Sequence, residues 1–333
     1  ILRLLDLPAC VIALTKCDLA EPDWLELVSE EIRELTADTF LANAPIVQTS
    51  AVTGAGLDEL KSALRAAAEI AAHARQRSAD GPFRMAIDRA FTIAGHGTVV
   101  TGSVASGSAA VGDSLVMQPG GREVRLRGVQ NHDRVVDQIH RGQRAAINLA
   151  GVHHDEVERG HELASPEHLV PSRLISARIS LLPQAGRALK DRIRLRLHVG
   201  TAETMCSVRL LDAEAVQPGG SALVQLFLSE PVVVTWNQPL VLRSESPVTT
   251  IGGGVVVDPA ASRIRHVDEQ VLQLLGELSS PDEATRAAAA LFFTGLNHWR
   301  PEDLTRIAGV TSPEAVIQSL QESRQLQKIT LAR

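Results

Sequence analysis

Residues 83–130 read FRMAIDRAFTIAGHGTVVTGSVASGSAAVGDSLVMQPGGREVRLRGVQ, and this stretch decides the fold. Apolar and polar residues alternate with a period of two, and glycines recur at short intervals between the alternating runs. This pattern is typical of short antiparallel strands joined by tight turns. The stretch therefore predicts an antiparallel β-barrel, which we place at residues 83–165.

The pattern of apolar and polar residues changes twice after this barrel. Residues 172–259 are again rich in strand-like runs, among them LISARISLL and DRIRLRLHVG, and they predict a second barrel. From His266 onwards the spacing of apolar residues is helical. There, PEDLTRIAGV and SPEAVIQSLQES predict a helix-turn-helix, and LQKITLAR predicts a terminal strand. We interpret residues 266–333 as a winged helix.

Residues 1–74 alternate between strand and helix instead. ACVIALTKCD and APIVQTSA are apolar strands, and each is followed by an amphipathic helical pattern. This order is typical of the C-terminal part of a doubly wound α/β domain. The polar segment RQRSADGP at 75–82 reads as the linker to the first barrel. The fold class predicted for the chain is therefore multidomain: part of an α/β domain, two barrels and a winged helix.

The loop after the first strand carries Thr15-Lys16-Cys17-Asp18, close to the Asn-Lys-x-Asp signature by which GTPases read guanine. Asp18 can accept hydrogen bonds from N1–H and the N2 amine of guanine, a pair of donors that adenine lacks. Lys16 can lay its methylene stem across the base, and Thr15 can hold the loop by a local hydrogen bond. These residues predict a guanine-selective loop.

The second strand ends in TSAVTGAGLDEL, about thirty residues further on. Here the backbone N–H of Ala51 would donate to guanine O6, and Ser50 would shape the turn. The alternative is that the charges are ordinary loop charges and that TSAVTGAG is only a helix cap. Two such strand ends in this order favour guanine binding over that alternative.

A phosphate cradle is missing from the printed sequence. None of the four lysines ends a G-x-x-x-x-G-K-[ST] loop, and there is no Asp-x-x-Gly motif. Hydrolysis of GTP needs a cradle, a metal ion and an oriented water. We therefore expect that the chain is part of a longer GTPase, that Mg²⁺ is bound with the missing N-terminal part, and that the chain alone does not hydrolyse GTP.

Composition excludes some classes of protein. A net charge of −6 argues against non-specific nucleic-acid binding by the chain as a whole. No apolar run has membrane-spanning length, so we predict no membrane association. The three cysteines are spaced for neither zinc nor a disulfide framework and fit a reducing cytoplasm.

The order of an α/β part and two barrels resembles the translational GTPases of the elongation factor Tu type. GHGTVVTGSVASGSAAVGDSL at 95–115 looks like the opening of their second domain, which holds the aminoacyl end of tRNA. FRMAIDRAF at 83–91 and RSESPVTTIGGGVVVDP at 243–259 resemble the selenocysteine-specific elongation factors, the SelB family. A winged helix after the third domain is also a feature of that family.

The resemblance implies a function and a set of partners. It implies GTP-dependent delivery of selenocysteinyl-tRNA to ribosomes paused at a recoded UGA codon. Winged helices beyond the C-terminus would read a hairpin in the selenoprotein mRNA. The winged helix at 266–333 has six basic and nine acidic residues, a net charge of −3, which argues against its being that reader. We interpret it as a spacer.

The resemblance also implies an aminoacyl pocket. Arg89 and Arg144 match the positions that line it in the family, and a selenol is acidic enough to be an anion at neutral pH, so cationic groups would favour it over serine. Asp88 would orient Arg89 or bind the amino group of the ester, and His96 is a further candidate donor. Without the resemblance, Asp88, Arg89 and Arg144 read as solvated surface charges.

Other readings stay open on the sequence alone. His153, His154 and His161 lack helical i, i+4 spacing, so we predict no metal site there. The chain could instead come from another relative of elongation factor Tu, such as the sulfate-activating GTPase subunit or an initiation-factor subunit. A non-catalytic tRNA- or RNA-binding module is the alternative from a different class.

Overall fold

A computed structural model describes residues 4–5, 7–37, 39–74, 81–93 and 97–327. The chain divides into two compact units, Ile1–Arg77 and Ser78–Arg333. Within the described residues, no helix is both long and apolar enough to cross a membrane.

The first unit contains two parallel strands and two helices. Its elements are β1 (Ile12–Leu14), α1 (Pro22–Thr36), β2 (Ile46–Gln48) and α2 (Leu57–Ala74). The strands pair in register from Ile12 opposite Ile46 to Leu14 opposite Gln48. Pro22 opens α1, where its missing N–H is no loss. Because the strands are parallel, the loops that follow them lie at the same edge of the sheet.

The first barrel holds most of the next nine strands. They are β3 (Arg84–Ile93), β4 (Gly97–Ser106), β5 (Ser108–Ala110), β6 (Ser114–Gln118), β7 (Arg122–Asn131), β8 (Arg134–Val136), β9 (Gln138–His140), β10 (Arg144–Ala150) and β11 (Glu162–Ala164). Six of them form a closed antiparallel ring in the order β10-β4-β3-β11-β6-β7, because β7 also pairs with β10. β8 extends the sheet beside β7, and β5 pairs with β9.

The second barrel is closed and antiparallel as well. Its strands are β12 (Ser172–Leu181), β13 (Leu189–Lys190), β14 (Arg194–Val199), β15 (Ala202–Leu210), β16 (Ala215–Val216), β17 (Ser221–Val232), β18 (Pro239–Ser244) and β19 (Thr250–Asp258). The ring runs β12-β17-β15-β14-β18-β19. Gly252 and Gly254 are needed where β19 meets β12, since a Cβ would lie 2.4 Å from Ser180 O and 1.9 Å from Arg178 O respectively.

Each barrel is filled by the inward-facing half of its alternating pattern. Met85, Ile87 and Ile147 are fully buried in the first barrel, and Ile175, Leu195 and Val224 in the second. Burial of side chains of this size stabilises each barrel by about 1.5–3 kcal/mol per residue. The apolar residues of the period-two pattern are therefore the residues that fill the barrel interiors.

The two barrels share a buried polar contact. Arg84 of β3 donates from Nε to Glu162 Oε2 at 2.5 Å and from Nη2 to Glu162 Oε1 at 2.9 Å, which is a bidentate pair inside the first barrel. Its remaining hydrogen bonds reach the second barrel, at Thr235 Oγ1 and Gln238 Oε1, both at 2.8 Å. A single guanidinium therefore connects the two barrels.

Four helices follow the second barrel: α3 (Glu269–Glu277), α4 (Glu283–Thr294), α5 (Asp303–Ala308) and α6 (Pro313–Glu322). Asp268 and Asp282 cap α3 and α4 by accepting the N–H groups of Val271 and Thr285. These helices share one apolar core with Leu211, Leu223 and Val257 of the second barrel. Trp236 strengthens the contact by donating from Nε1 to Leu278 O at 2.7 Å.

The predicted multidomain architecture is confirmed, with two closed barrels and helices after them. α4 was not predicted from the sequence, because its alanine-rich residues give a weak amphipathic pattern. α5 and α6 are joined by a short turn, as predicted for a helix-turn-helix. The predicted terminal strand LQKITLAR lies almost wholly outside the described residues, and 266–327 contain no strand in the parts that the structure describes.

Candidate functional site

Three neighbouring strands of the first barrel bring together the residues predicted for the aminoacyl pocket. Asp88 and Arg89 lie on β3, Thr101 on the adjacent β4, and Arg144 at the start of β10 on the other side of β4. Ile87 pairs with Gly102 and Arg89 with Thr101, so Asp88 has no residue opposite it. This is a β-bulge, a device that redirects a side chain out of the regular alternation.

Glycine is required on the strand opposite the bulge. A Cβ at Gly102 would lie 2.1 Å from the carbonyl oxygen of Ala86 and 3.0 Å from Met85 Cγ. The close approach of β4 to β3 therefore depends on the absence of a side chain at this position. It fixes the register that places Asp88 beside Thr101.

Asp88 is the centre of the polar cluster. Arg144 donates to it from Nη1 to Oδ2 at 2.6 Å and from Nη2 to Oδ1 at 3.2 Å, and Thr101 Oγ1 donates to Oδ1 at 2.8 Å. Burial alone would raise the pKa of Asp88, but the hydrogen bonds from Arg144 and Thr101 outweigh it and hold this pKa below its ordinary value. Asp88 is thus an anion at neutral pH.

Arg89 differs from Arg144 in its surroundings. The side chains of both arginines are exposed, but Arg89 has no hydrogen bond or ion pair with any other described residue. Asp88 acts on it only through their mutual electrostatic attraction. Asp88 was expected from the sequence to orient Arg89, whereas its carboxylate accepts hydrogen bonds from Arg144. His96, the fourth predicted pocket residue, lies outside the described residues.

Thr101 was not identified from the sequence. A threonine in a strand is ordinary, and its role depends on the register shift that places it opposite Arg89 and beside Asp88. In the sequence, Thr101-Gly102 follows Asp88-Arg89 at a distance of about a dozen residues. This order predicts a contact between the two pairs only when β3 and β4 are known to be neighbours.

The predicted guanine loops follow the two parallel strands of the first unit. Lys16 has left-handed backbone angles (φ 60°, ψ 34°) and opens a short 3₁₀ turn at Cys17–Leu19 that contains Asp18. The backbone N–H of Cys17 donates to Thr49 O at 3.1 Å, and that of Thr49 to Leu14 O at 2.8 Å. These bonds hold the two loops together at one sheet edge, where Thr15, Lys16 and Asp18 are exposed.

The second guanine loop is held by its own backbone. Ser50 is buried, its N–H donates to Ala55 O at 3.0 Å, and its Oγ accepts the N–H of Thr53 at 3.2 Å. Gly56 closes the turn at φ +68°, where a Cβ would lie 1.9 Å from Gln48 O. Ala51 is exposed beside this turn. The five predicted guanine residues are therefore grouped at one edge, and their contacts to a base remain predictions.

The histidine-rich segment forms a short 3₁₀ turn before β11. Potential ligand atoms of His153, His154 and Asp155 lie within 4.8 Å of one another, so these side chains could approach one cation. These side chains already interact with one another, since His153 and His154 contact the carboxylate of Asp155 at 3.1 and 2.8 Å. His161 lies apart and accepts the N–H of Glu158 at its Nδ1. The prediction of no metal site here stays a prediction.

The order of an α/β unit and two antiparallel barrels is accompanied by matches to two family models, and residues 97–164 match that of elongation factor Tu domain 2. The second barrel is similar to the selenocysteine-specific elongation factors in particular. Residues 176–263 match the model of the β-barrel domain of that family.

Individual relatives show the same similarity. The selenocysteine-specific elongation factor of Desulfomicrobium baculatum is 37% identical over 278 residues, which are 83% of this chain and 43% of the relative. A crystal structure of a bacterial selenocysteine-specific elongation factor, EF-Sec, matches with a TM-score of 0.77 at 25% identity, over 95% of this chain and 51% of that chain. The chain thus spans about half the length of these relatives.

A third comparison bears on the nucleotide. The structure of the elongation factor SelB from Methanococcus maripaludis in complex with the GTP analogue GPPNHP matches with a TM-score of 0.64 at 25% identity. The match covers 74% of this chain and 58% of that one. A member of the family thus binds a GTP analogue.

Proposed function

We propose that this protein delivers selenocysteinyl-tRNA to the ribosome at recoded UGA codons, in a GTP-dependent manner and in the cytoplasm. The observation that carries the proposal is the arginine pair on the first barrel. Arg144 is neutralised by Asp88, while Arg89 has no such partner among the described residues. One cation therefore stays available for an anionic amino-acid side chain.

The pocket would work by charge selection. The selenol of selenocysteine is an anion at neutral pH, whereas the hydroxyl of serine is neutral. A hydrogen bond to a charged group contributes about 1.5–3 kcal/mol, which is about 10–100-fold in affinity. Arg89 is proposed to supply that contact, and Asp88 to hold Arg144 in place. His96 is proposed as a further donor.

GTP is proposed to bind with its base at the first unit. Asp18 would accept two hydrogen bonds from guanine, the Ala51 N–H would donate to O6, and the stem of Lys16 would cover the ring. Thr15 and Ser50 would hold the two loops. The exposed carboxylate of Asp18 and the exposed Ala51 at one sheet edge fit such a base.

The phosphate chemistry is proposed to lie elsewhere in a longer protein. Because the printed sequence has no glycine-rich phosphate loop, we propose that residues 1–333 alone do not hydrolyse GTP and that Mg²⁺ is bound by other residues. Winged helices beyond the C-terminus are proposed to bind the hairpin of a selenoprotein mRNA.

The test compares two aminoacylated forms of one tRNA. We expect Arg89→Ala to weaken the binding of selenocysteinyl-tRNA about 10–100-fold, because an ion-assisted hydrogen bond is lost. Binding of the same tRNA charged with serine should change less than about threefold, since a neutral hydroxyl gains little from the guanidinium. Both affinities are measured in the presence of GTP, by protection of the aminoacyl ester from hydrolysis.

Arg127→Ala is the matched control, because Arg127 is an exposed arginine on β7 of the same barrel. It should leave both affinities unchanged. Equal losses for both tRNA forms in Arg89→Ala would contradict the selenolate contact. Selective binding that does not depend on GTP would favour an RNA-binding module over an elongation factor.

A further inference from the structure

The second barrel and its helices line a partly open cavity of about 640 Å³ that neither proposed site uses. Its walls come from the linker between the barrels, from the end of β19, and from α4, α5 and the segment between them. The residues that line it include Val170, Asp258, Phe293, Trp299 and Arg306. Cavities that bind small molecules commonly measure about 300–1,000 Å³, so this one has the size of a ligand site.

Arg306 is the unusual group in the wall. It is only 7% exposed, and its Nη2 donates to Asp303 Oδ1 at 3.2 Å. Its Nε and Nη1 are enclosed and have no hydrogen-bond acceptor among the described residues. A buried donor without an acceptor costs about 1–3 kcal/mol, more when it is charged. An acceptor that enters the cavity would remove this cost after a small shift of the side chain.

Besides Arg306, about half of the lining residues are apolar, and the polar ones include the carboxylates of Glu167, Asp258 and Asp303. Phe293 and Trp299 offer ring faces or edges, and Leu278, Ala290 and Ile307 add aliphatic surface. Flat ligands pack well against such walls because aromatic contacts contribute about 0.5–1.5 kcal/mol beyond the area they bury. The cavity therefore combines an apolar, partly aromatic wall with a polar part in which Arg306 has unused hydrogen-bond donors.

We propose that this cavity binds a small organic anion, with a phosphate or carboxylate group on Arg306 and a flat body against Phe293 and Trp299. A nucleoside monophosphate has both parts and fits the volume. Arg300 does not compete for the anion, because it donates to Glu167 of the inter-barrel linker.

Acidic neighbours make the proposed binding depend on pH. Besides Asp258, the titratable and charged groups of the lining are Arg306 and Asp303 on α5, Arg300 and His298 before α5, and Glu167 from the linker. His168 of the linker is influenced by the charges of Arg306 and Asp303. Burial raises the pKa of Asp258 to about 6. Burial, together with Arg84 and Arg306, lowers the pKa of His168 to about 4, so this imidazole is neutral above pH 5. An anion should thus bind more tightly as the pH falls from 7 to 5, since Asp258 becomes neutral.

The experiment is calorimetric titration of the 333-residue chain with adenosine monophosphate and, separately, with inorganic phosphate. Adenine is chosen because it lacks the donors that Asp18 would read, which separates this site from the proposed guanine site. We expect saturable binding of adenosine monophosphate, at least tenfold tighter than that of phosphate, with both measured at pH 7.5.

Two variants test the location. Asn297→Trp should block the cavity, because Asn297 is an exposed residue of its lining, and Arg306→Lys should remove the fork of donors. Both should weaken binding at least tenfold, whereas Arg134→Lys on β8 should not change it. If Arg306→Lys does not fold, Asn297→Trp decides. Absence of binding, equal affinity for phosphate, or unchanged binding in Asn297→Trp would overturn the proposal.

Discussion

Asp88 shows how one bulged residue can organise a polar cluster. Regular alternation would place its side chain on one face of the β3–β4 pair, in line with its neighbours. The bulge instead directs the carboxylate to Thr101 on β4 and to Arg144 on β10. The consequence is that Arg144 is fixed by an ion pair while Arg89 has no such partner among the described residues.

Thr101→Val tests the positioning of Asp88. The substitution removes one of the hydrogen bonds that lower the pKa of Asp88, so this pKa should rise towards its ordinary value. The carboxyl titration can be followed by NMR. Thr92→Val, at an exposed position on β3, is the control and should not shift it. An unchanged pKa in Thr101→Val would show that Arg144 alone holds the carboxylate.

Asp18→Asn tests the proposed reading of guanine. Asparagine keeps the size of the side chain but loses the charge and one acceptor, so we expect the affinity for GDP to fall at least tenfold in the full-length protein. Xanthosine diphosphate should gain relative to GDP, because xanthine has a carbonyl where guanine has its amine. Unchanged GDP affinity would remove Asp18 from base recognition.

At the scale of elements, the helices after the second barrel do not stand apart from it. Gly309, between α5 and α6, has φ +61° and packs against Trp236 so closely that a Cβ would lie 2.2 Å from its ring. Arg286 of α4 stacks over the same ring at 4.4 Å and donates to the carbonyls of Ala308 and Ser280. The tryptophan is thus held between the barrel and the helix-turn-helix.

Gly309→Ala tests this contact. We expect it to lower the free energy of unfolding by about 2–4 kcal/mol, since both the left-handed backbone and the space beside Trp236 exclude a methyl group. Gly186→Ala is the control, because Gly186 also has a positive φ (+72°) but open space around it. Its cost should be about 1 kcal/mol. Similar losses in urea denaturation would show that Trp236 does not restrict Gly309.

The charge of the helix-turn-helix agrees with the interpretation of residues 266–333 as a spacer. The exposed residues of α6 include Glu314, Gln318 and Glu322 and no lysine or arginine. A helix that reads nucleic acid normally presents basic or amide groups to phosphates and bases. The proposal that RNA is read by other winged helices therefore fits the surface of this one.

At the scale of the whole molecule, Arg84 forms a buried ion pair with Glu162 inside the first barrel and links the two barrels through its hydrogen bonds to Thr235 and Gln238. Arg84→Met should lower the free energy of unfolding of the second unit by about 3–5 kcal/mol, because Glu162 would be left buried without its partner. Thr235→Val should cost only about 1 kcal/mol, since it removes one hydrogen bond to the second barrel. Both are measured by urea denaturation.

Arg134→Met provides the control for Arg84→Met, as Arg134 is an exposed arginine of the first barrel. It should change the free energy of unfolding by less than about 0.5 kcal/mol. If Arg84→Met were as mild as Thr235→Val, the buried pair would contribute little to the joined barrels.

The sequence predicted this molecule best where the pattern was local. Period-two alternation identified both barrels, and the strand-turn-helix order identified the α/β unit, because each signal is contained in ten to twenty neighbouring residues. The partner of Asp88 could not be predicted, since Arg89 is adjacent in sequence whereas Arg144 is adjacent in space. Arg84, Thr101 and Arg306 were missed for the same reason: their roles arise from contacts between distant segments.

The shared core of the second barrel and the helices has a practical consequence for anyone dividing the protein. A chain cut near residue 265, where the strand pattern ends, would uncover the apolar side chains of Leu211, Leu223 and Val257. Such an uncovered patch promotes aggregation. A shortened protein that stays in solution should therefore keep the helices through α6, even if only the barrels are wanted.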